Sequence, residues 1–434
     1  MTAGCQCRLL RCRASVRGVS ERAAGYVTEL PYTPGYHPGL DPAFVVRRLG
    51  ELGHPAPAIA RACELGFGRG INLAIHAVAG RAHWWGNDLL PEHVAGVRAL
   101  TRGLTDRLQI TAASFAEWRA CPDLPTFDFI GLHGVWSWVS ADNRRQLVDF
   151  IDERLAPGGV VYVSYNVLAG WQGVLPLREF LWREAERPEH RGRPLAERIE
   201  LALQAALRHV ASDPPELADD RNFERHLRRL RHQRKAYLAH EYFNRDWAPM
   251  RFSEVAAALE ARGLVYAGQV LGDEARPRDA AAEDERDRWL QRSFRRDLWL
   301  RPAPGGASKP FARDTAVGVE RARIAATAVL NDRLLQLARR EPQLSVVASP
   351  LSGGGVDLGW RGLLALAAWR AGAREPAVIA ARVAAWMAAL EHPLVHADTV
   401  IRDAQEARQM LRREAQEFCT ATLPRLRDAL IEPP

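Results

Sequence analysis

Lysine is almost missing from this 434-residue chain: only Lys235 and Lys309 occur, so nearly all of its 59 cationic side chains are arginine. The arginines are scattered among Asp and Glu in an alanine-rich sequence, a skew that points to a GC-rich genome rather than a binding patch. The net charge of +7 and pI of about 9.3 therefore indicate no nucleic-acid partner by themselves. The densest cluster, Arg225, Arg228, Arg229, Arg231, Arg234 and Lys235, falls in a helix-like run and reads as a solvated or interface face. Long apolar runs are also lacking. The richest stretch, Val356 to Ala373, is interrupted by Asp357, Arg361 and Arg370, which excludes a membrane-spanning helix. Cysteine is scarce: six residues, three of them within the first twelve positions, with no CxxC and no Cys/His pair at zinc spacing. No metal site is expected, and a reduced, cytoplasmic protein is. Internal repeats and low-complexity tracts are absent as well.

What remains is ordinary for a globular protein, with 47% hydrophobic and 26% charged residues, mean hydropathy −0.24, and a length suited to about three domains. Residues 1–25 carry Arg8, Arg11, Arg13, Arg17 and Arg22 against Glu21 alone and no apolar secretion segment, and are expected to be a disordered extension. From Asp41 the pattern alternates. A helix over Asp41–Leu52 is followed by strands at Ala60–Leu65, Ala82–Asn87, Leu108–Ala112, Phe127–Leu132 and Val160–Tyr165. Between them lie helices at Asn72–Ala79, Pro91–Thr101, Phe115–Ala120 and Asn143–Leu155. That order predicts an α/β fold, a Rossmann-like doubly wound sheet. A charged, helix-periodic stretch over 172–244 reads as an insertion. The core then resumes over 245–303, with a helix at Phe252–Arg262 and a closing strand pair at Leu264–Val270 and Ser293–Leu300. After a Pro/Gly linker at Pro302–Gly306, residues 311–434 read as a helical accessory domain, with helices over Ala316–Arg340, Pro376–Leu390 and Thr399–Leu423.

The strongest local signal is the strand–turn–helix segment Glu64-Leu65-Gly66-Phe67-Gly68-Arg69-Gly70-Ile71-Asn72. Glycines permit the left-handed backbone and close approach of a ligand, and the free N–H groups of a helix start supply donors. The dinucleotide fingerprint GxGxxG fails, because the third glycine comes one place early and Ile71 occupies its position. Asp88 ends the second strand, eighteen residues after Gly70, where a carboxylate can accept two ribose hydroxyls or simply cap the next helix. Ser114 and Phe115 close the third strand.

Acid-x-Gly-x-Gly-x-Gly resembles the loop of class I S-adenosylmethionine methyltransferases. Four further segments narrow the resemblance: Tyr26–Tyr32, Leu132–Val139 (LHGVWSWV), Val163–Trp171 (VSYNVLAGW) and Tyr237–Phe243 (YLAHEYF). Together they resemble bacterial methyltransferases that carry a methyltransferase regulatory domain, a group that includes rickettsial protein-lysine methyltransferases. The likeness covers residues 26–303, with the cofactor-binding core at 26–171 and the regulatory region at about 215–303. Phe67 stands where the family has Cys, Ala169 where it has Pro, and Asn87 where it has an apolar residue.

The resemblance implies S-adenosylmethionine as cofactor, held by Glu64 at its amino group, by Gly66, Phe67, Gly68, Gly70 and Asn72 in the loop, by Asp88 and Leu89 at the ribose, and by Ser114 and Phe115 near the adenine. His133, Tyr26 and Tyr32 are the candidate catalytic residues, His133 also as a cofactor contact. Trp136, Trp138, Tyr165, Asn166 and Trp171 are the candidate substrate-lining residues. Each has a plainer alternative: His133 as a satisfied structural histidine, the two tyrosines as packing on the first helix, the tryptophans as core. The expected reaction is methylation of protein lysine. Methylation of a small molecule or glycan, or a non-catalytic cofactor-binding scaffold, are the other readings, and a homodimer through the helical insertion is a further expectation. His240-Glu241 is no HExxH metal motif, because position 244 is Asn. GxSxG is absent, which leaves a hydrolase unsupported.

Overall fold

A computed structural model describes residues 26–303, apart from 28, 31–36, 56, 80, 81, 104, 213–220 and 271–278, together with a few short pieces beyond 303. Helix α1 (Pro42–Glu51) leads into β1 (Arg61–Leu65), α2 (Ile71–Ala79), β2 (His83–Asp88), α3 (Pro91–Thr101), β3 (Leu108–Ala112), α4 (Phe115–Arg119), β4 (Phe127–Leu132), α5 (Ala141–Arg154) and β5 (Leu155–Asn166). The insertion supplies α6 (Leu175–Ala185), α7 (Leu195–Ala211), α8 (Arg221–Leu230) and α9 (Lys235–Tyr242). Then come α10 (Phe252–Glu260), β6 (Val265–Gln269), α11 (Ala280–Trp289) and β7 (Phe294–Leu300).

The seven strands form one sheet in the order β3-β2-β1-β4-β5-β7-β6. The first five are parallel, and β7 runs antiparallel between β5 and β6. This is the class I methyltransferase fold. Period-two alternation builds it. Along β5, Val161, Val163 and Tyr165 enter the core under α4, α5 and α10, whereas Val160 and Tyr162 enter the opposite core with α1, α2 and α3. Strand β5 begins earlier than its apolar run because Pro157-Gly158-Gly159 is absorbed by a register shift between Phe127–Leu155 and Phe129–Val160. Helix α5 starts early because Ser140 Oγ accepts the Asn143 N–H at 3.2 Å.

The insertion helices have their own core, in which Leu177, Leu181, Ile199, Leu203, Leu227 and Leu238 pack with Val27 from the N-terminal segment. Burying Val27 there draws that segment across the carboxyl ends of the strands. The expected helices Ala316–Arg340 and Pro376–Leu390 lie outside the described residues apart from Ala377–Val378. The expected helix from Thr399 does not begin there: Thr399–Val400 pairs antiparallel with Val395–His396. Among the described residues no helix is long and apolar enough to cross a membrane, and no cluster of His, Cys, Asp and Glu could hold a metal. Cys63 is a free, buried thiol and Cys121 is disulfide-bonded, so cysteine usage no longer argues for a wholly reduced chain.

Candidate functional site

The loop after β1 turns on three left-handed glycines, Gly66, Gly68 and Gly70, with φ of +64°, +58° and +63°. Two of them pack tightly: a Cβ would stand 2.8 Å from Val135 Cγ2 at Gly66 and 2.3 Å from Val97 Cγ2 at Gly70. At Gly68 a Cβ would meet nothing within 4 Å among the described residues, so there this backbone faces open space. The loop is tied to β2. Gly66 N–H donates to the Asn87 carbonyl at 2.9 Å and Gly68 N–H to Asp88 Oδ2 at 2.7 Å. The other Asp88 oxygen accepts from Leu90 N at 3.0 Å and lies 2.9 Å from His93 Nδ1. Asp88 thus braces the loop and the approach to α3.

Glu64 is the electrostatic oddity of this wall. Its side chain is buried, and Oε2 has no hydrogen-bond partner among the described residues. Burial, reinforced by the nearby Asp88 carboxylate, pushes its pKa up to about 8.

The facing wall comes from distant parts of the chain. His133 Nδ1 lies 2.7 Å from the Tyr162 hydroxyl, and its ring stacks on His37 with centroids 3.6 Å apart. His37 is fixed by reciprocal bonds to Asn72: its N–H donates to Oδ1 at 3.0 Å and its carbonyl accepts from Nδ2 at 2.9 Å. Burial, with Arg296 nearby, lowers the His37 pKa to about 4. Burial, then His37 and Arg296, hold His133 well below the ordinary range. His133 is therefore held as a neutral ring at physiological pH. From the insertion, Asn244 Oδ1 accepts from Val27 N at 2.8 Å, Asn244 Nδ2 donates to the His240 carbonyl at 2.7 Å, and His240 Nε2 lies 2.8 Å from the Leu30 carbonyl.

Between the walls lies a partly open cleft. Of the residues expected from sequence, Tyr26, Glu64, Gly66, Phe67, Gly68, Gly70, Asn72, His133 and Trp138 line it. Others are placed elsewhere. Trp136 is core, with Nε1 donating to Met250 Sδ at 3.1 Å. Tyr165 is core, with its hydroxyl donating to Asp297 Oδ2 at 2.7 Å. Asn166 is buried, its backbone N–H donating to Ser137 Oγ, while its side-chain Nδ2 has no partner among the described residues. The corrections at Trp136 and Tyr165 share one cause: both side chains enter the core under α4, α5 and α10. Trp171 stands two rings behind the cleft, against Trp247, which in turn neighbours Trp138. Ser114 caps α4, donating to Glu117 Oε2 at 2.9 Å and accepting from Glu117 N at 3.2 Å. Phe115 supports the loop beneath Gly66, and Leu89 is half-buried beside Asp88. Tyr32 lies outside the described residues.

Sequence reasoning missed His37, Arg69, Ile71, Gly134, His240 and Asn244 as cleft residues. The segment Tyr237–Phe243 stood out, but its histidine was weighed only as a metal ligand. Nothing local marks His37.

Comparison with known proteins matches residues 234–301 to the family described as a predicted methyltransferase regulatory domain. The uncharacterised protein sll1526 of Synechocystis is 32% identical over 299 residues, 64% of this chain and 58% of that protein. The uncharacterised protein RP789 of Rickettsia prowazekii is 28% identical over 247 residues, 55% of this chain and 43% of that one. The chain thus spans less than two thirds of the length of these curated relatives. Among solved structures, PKMT2 from Rickettsia typhi in complex with AdoHcy superposes with a TM-score of 0.60 at 16% identity, over 90% of this chain and 99% of that one.

Proposed function

We propose that this chain is an S-adenosylmethionine-dependent methyltransferase whose acceptor is a lysine side chain of a protein. The observation that carries the reading is Glu64: a buried carboxyl oxygen without a partner, in a cleft whose floor is a three-glycine loop at the end of β1. Such a group fits the amino group of the cofactor's methionine portion, and the open space at Gly68 fits close approach of its backbone. The match to PKMT2, a structure with AdoHcy, supports the same cofactor. In this reading Asp88 and Leu89 serve the ribose, and Ser114 and Phe115 border the adenine side.

When bound, the cofactor supplies a methyl carbon activated by positively charged sulfur. The chain's own contribution is positioning and exclusion of water. His37 and His133, both uncharged, add no cation to a site that takes a sulfonium. The faces of Tyr26 and Trp138 offer cation–π attraction of about 0.5–2 kcal/mol to an alkylammonium. Exclusion of water also favours the uncharged amine that the reaction needs.

Calorimetric titration with S-adenosylmethionine and, separately, NAD tests the cofactor. Micromolar binding of the first alone is expected, and a folded sample that binds neither overturns the reading. Incubation with tritiated-methyl cofactor and fractionated bacterial extract tests the acceptor. Label recovered as methyl-lysine after acid hydrolysis of protein supports it, and label confined to small molecules or glycans overturns the protein acceptor.

A further inference from the structure

The two sides of the cleft are opposite in hydrogen-bonding character. At the end of β1, Glu64 offers an oxygen without a donor. Across from it stand donors without an acceptor. His133 Nδ1 faces two hydroxyls, Tyr162 at 2.7 Å and Ser164 at 3.3 Å, and Ser164 Oγ already accepts the Gly134 N–H at 2.9 Å. A proton on Nδ1 would leave one of those hydroxyl protons with no acceptor, so the ring proton belongs on Nε2. That N–H has no partner among the described residues, nor has either ring nitrogen of His37, and both histidines line the cleft. None of these three nitrogens is sealed from solvent.

Arg296 adds charge to the same side. On β7 it pairs with Ser164 of β5, so it shares the face of Ser164 and Tyr162, opposite to that of Arg295. Its guanidinium carbon lies 4.8 Å from the Phe294 ring, whose centroid is 6.0 Å from that of His133. Its positive charge acts on both histidines. It is half-buried, and among the described residues it bonds to no carboxylate, in contrast to Arg295. A guanidinium and imidazole N–H groups with nothing to donate to are the chemistry that receives a carboxylate.

We infer that His133, His37 and Arg296 form a carboxylate subsite of the cleft, and that the carboxylate is that of the cofactor's methionine portion. The inference rests on the methyltransferase reading and deepens it. The ammonium and carboxylate of an α-amino acid share one carbon. Strands β1 and β4 are adjacent, about 4.8 Å apart, so Glu64 and His133 can receive the two groups of one such carbon. The other source of a carboxylate is an acidic side chain of the acceptor protein.

Two substitutions test the subsite. His37→Phe keeps the stack on His133 and the backbone bonds to Asn72 while removing both ring nitrogens. Arg296→Met keeps an unbranched stem beside Phe294 and removes the charge. The probes are AdoHcy and its decarboxylated analogue, which retains the thioether and the amino group, each titrated calorimetrically into the full-length protein. The parent should bind AdoHcy about tenfold more tightly than the analogue, and each variant should lose about tenfold for AdoHcy while holding the analogue within about twofold. Equal losses for both probes mark a structural brace and overturn the inference. Acetate titrated into the AdoHcy complex separates the two sources. If the variants hold AdoHcy as the parent does, and acetate binds the parent's complex but not theirs, the subsite stands and the cofactor as its source is overturned. If acetate does not bind the parent's complex in that case, the subsite itself is overturned. In the parent, AdoHcy should move the Nε2 resonance of His133 in ¹⁵N NMR and the analogue should not, a readout that does not depend on a variant folding. The same shift with both probes overturns the inference alone. Failure to bind either probe overturns the methyltransferase reading beneath it.

Discussion

Glu64 and the carboxylates around Arg295 are all nearly removed from water, but they are treated in opposite ways. Arg295 is fully buried on β7. It donates through Nε to Asp297 at 2.9 Å, through Nη1 to Glu283 at 3.0 Å and Asp287 at 2.9 Å, and through Nη2 to the Tyr266 hydroxyl at 2.7 Å. The Phe252 ring lies 4.4 Å from its guanidinium carbon, and Tyr165 donates to Asp297. One cation therefore fastens α10, α11, β5, β6 and β7 together. Burial pushes the Asp287 and Asp297 carboxyls up as it does Glu64, but at the cleft Glu64 has an oxygen with no such partner among the described residues. A buried charge with every bond made serves the architecture, whereas one left incomplete marks where a ligand completes it.

The sharpest way to break this contrast is Arg295→Met. It leaves Glu283, Asp287 and Asp297 facing one another without their cation and should cost about 3–5 kcal/mol, measured by denaturant or thermal unfolding. If stability barely changes, the cluster is not the fastening described. The loop offers the next largest effect. Gly70→Ala places a Cβ 2.3 Å from Val97 Cγ2 at φ +63°, and should destabilise by about 2–4 kcal/mol. Gly68→Ala has the same backbone strain without the clash, so it should cost about 1–2 kcal/mol of stability. Its loss of S-adenosylmethionine affinity should exceed that cost, and equal losses at both positions would refute the assignment of Gly68 to the ligand face.

The smallest effect on stability is expected from Glu64→Gln, and it depends on pH. The folded pKa, near 8, lies above the ordinary 4.5, so the native state binds more protons than the unfolded one. Glu64's contribution is then fully present below about pH 4.5 and is lost as pH rises toward 8. At pH 5 variant and parent should unfold alike. At pH 9 the Gln variant should be the more stable, because it carries no buried charge. Cofactor binding should also release close to one proton at pH 7, seen as a dependence of calorimetric heat on buffer ionisation, and the variant should lose that release. A parent that releases no proton would mean Glu64 is not the group facing the cofactor's ammonium.

Much of one wall was legible in the sequence, because its parts are contiguous. Glu64 to Asn72 carries strand end, turn and helix start in nine residues, and the strands Leu108–Ala112 and Phe127–Leu132 occur at the expected bounds. The other wall was not legible. Val27 meets Asn244 across 217 positions, and Leu30 meets His240 across 210. Those pairings depend on how the insertion's core captures Val27, which no local pattern encodes. Trp136, Tyr165 and Asn166 misled for a related reason: a residue near a strand end belongs to cleft or core according to what packs over it.

The sequence alone determined the order of the five parallel strands and the helices between them, the glycine turn and the acid beside it, since periodicity and backbone conformation are local properties of adjacent residues. The helix Ala280–Trp289 was not read from it. Only the tertiary structure decided that His37, His240 and Asn244 share a cleft with Glu64, that His133 is uncharged, and that Arg295 is a fastening. Burial and the pairing of charges are set by neighbours distant in the chain, and they exist only once the chain has packed.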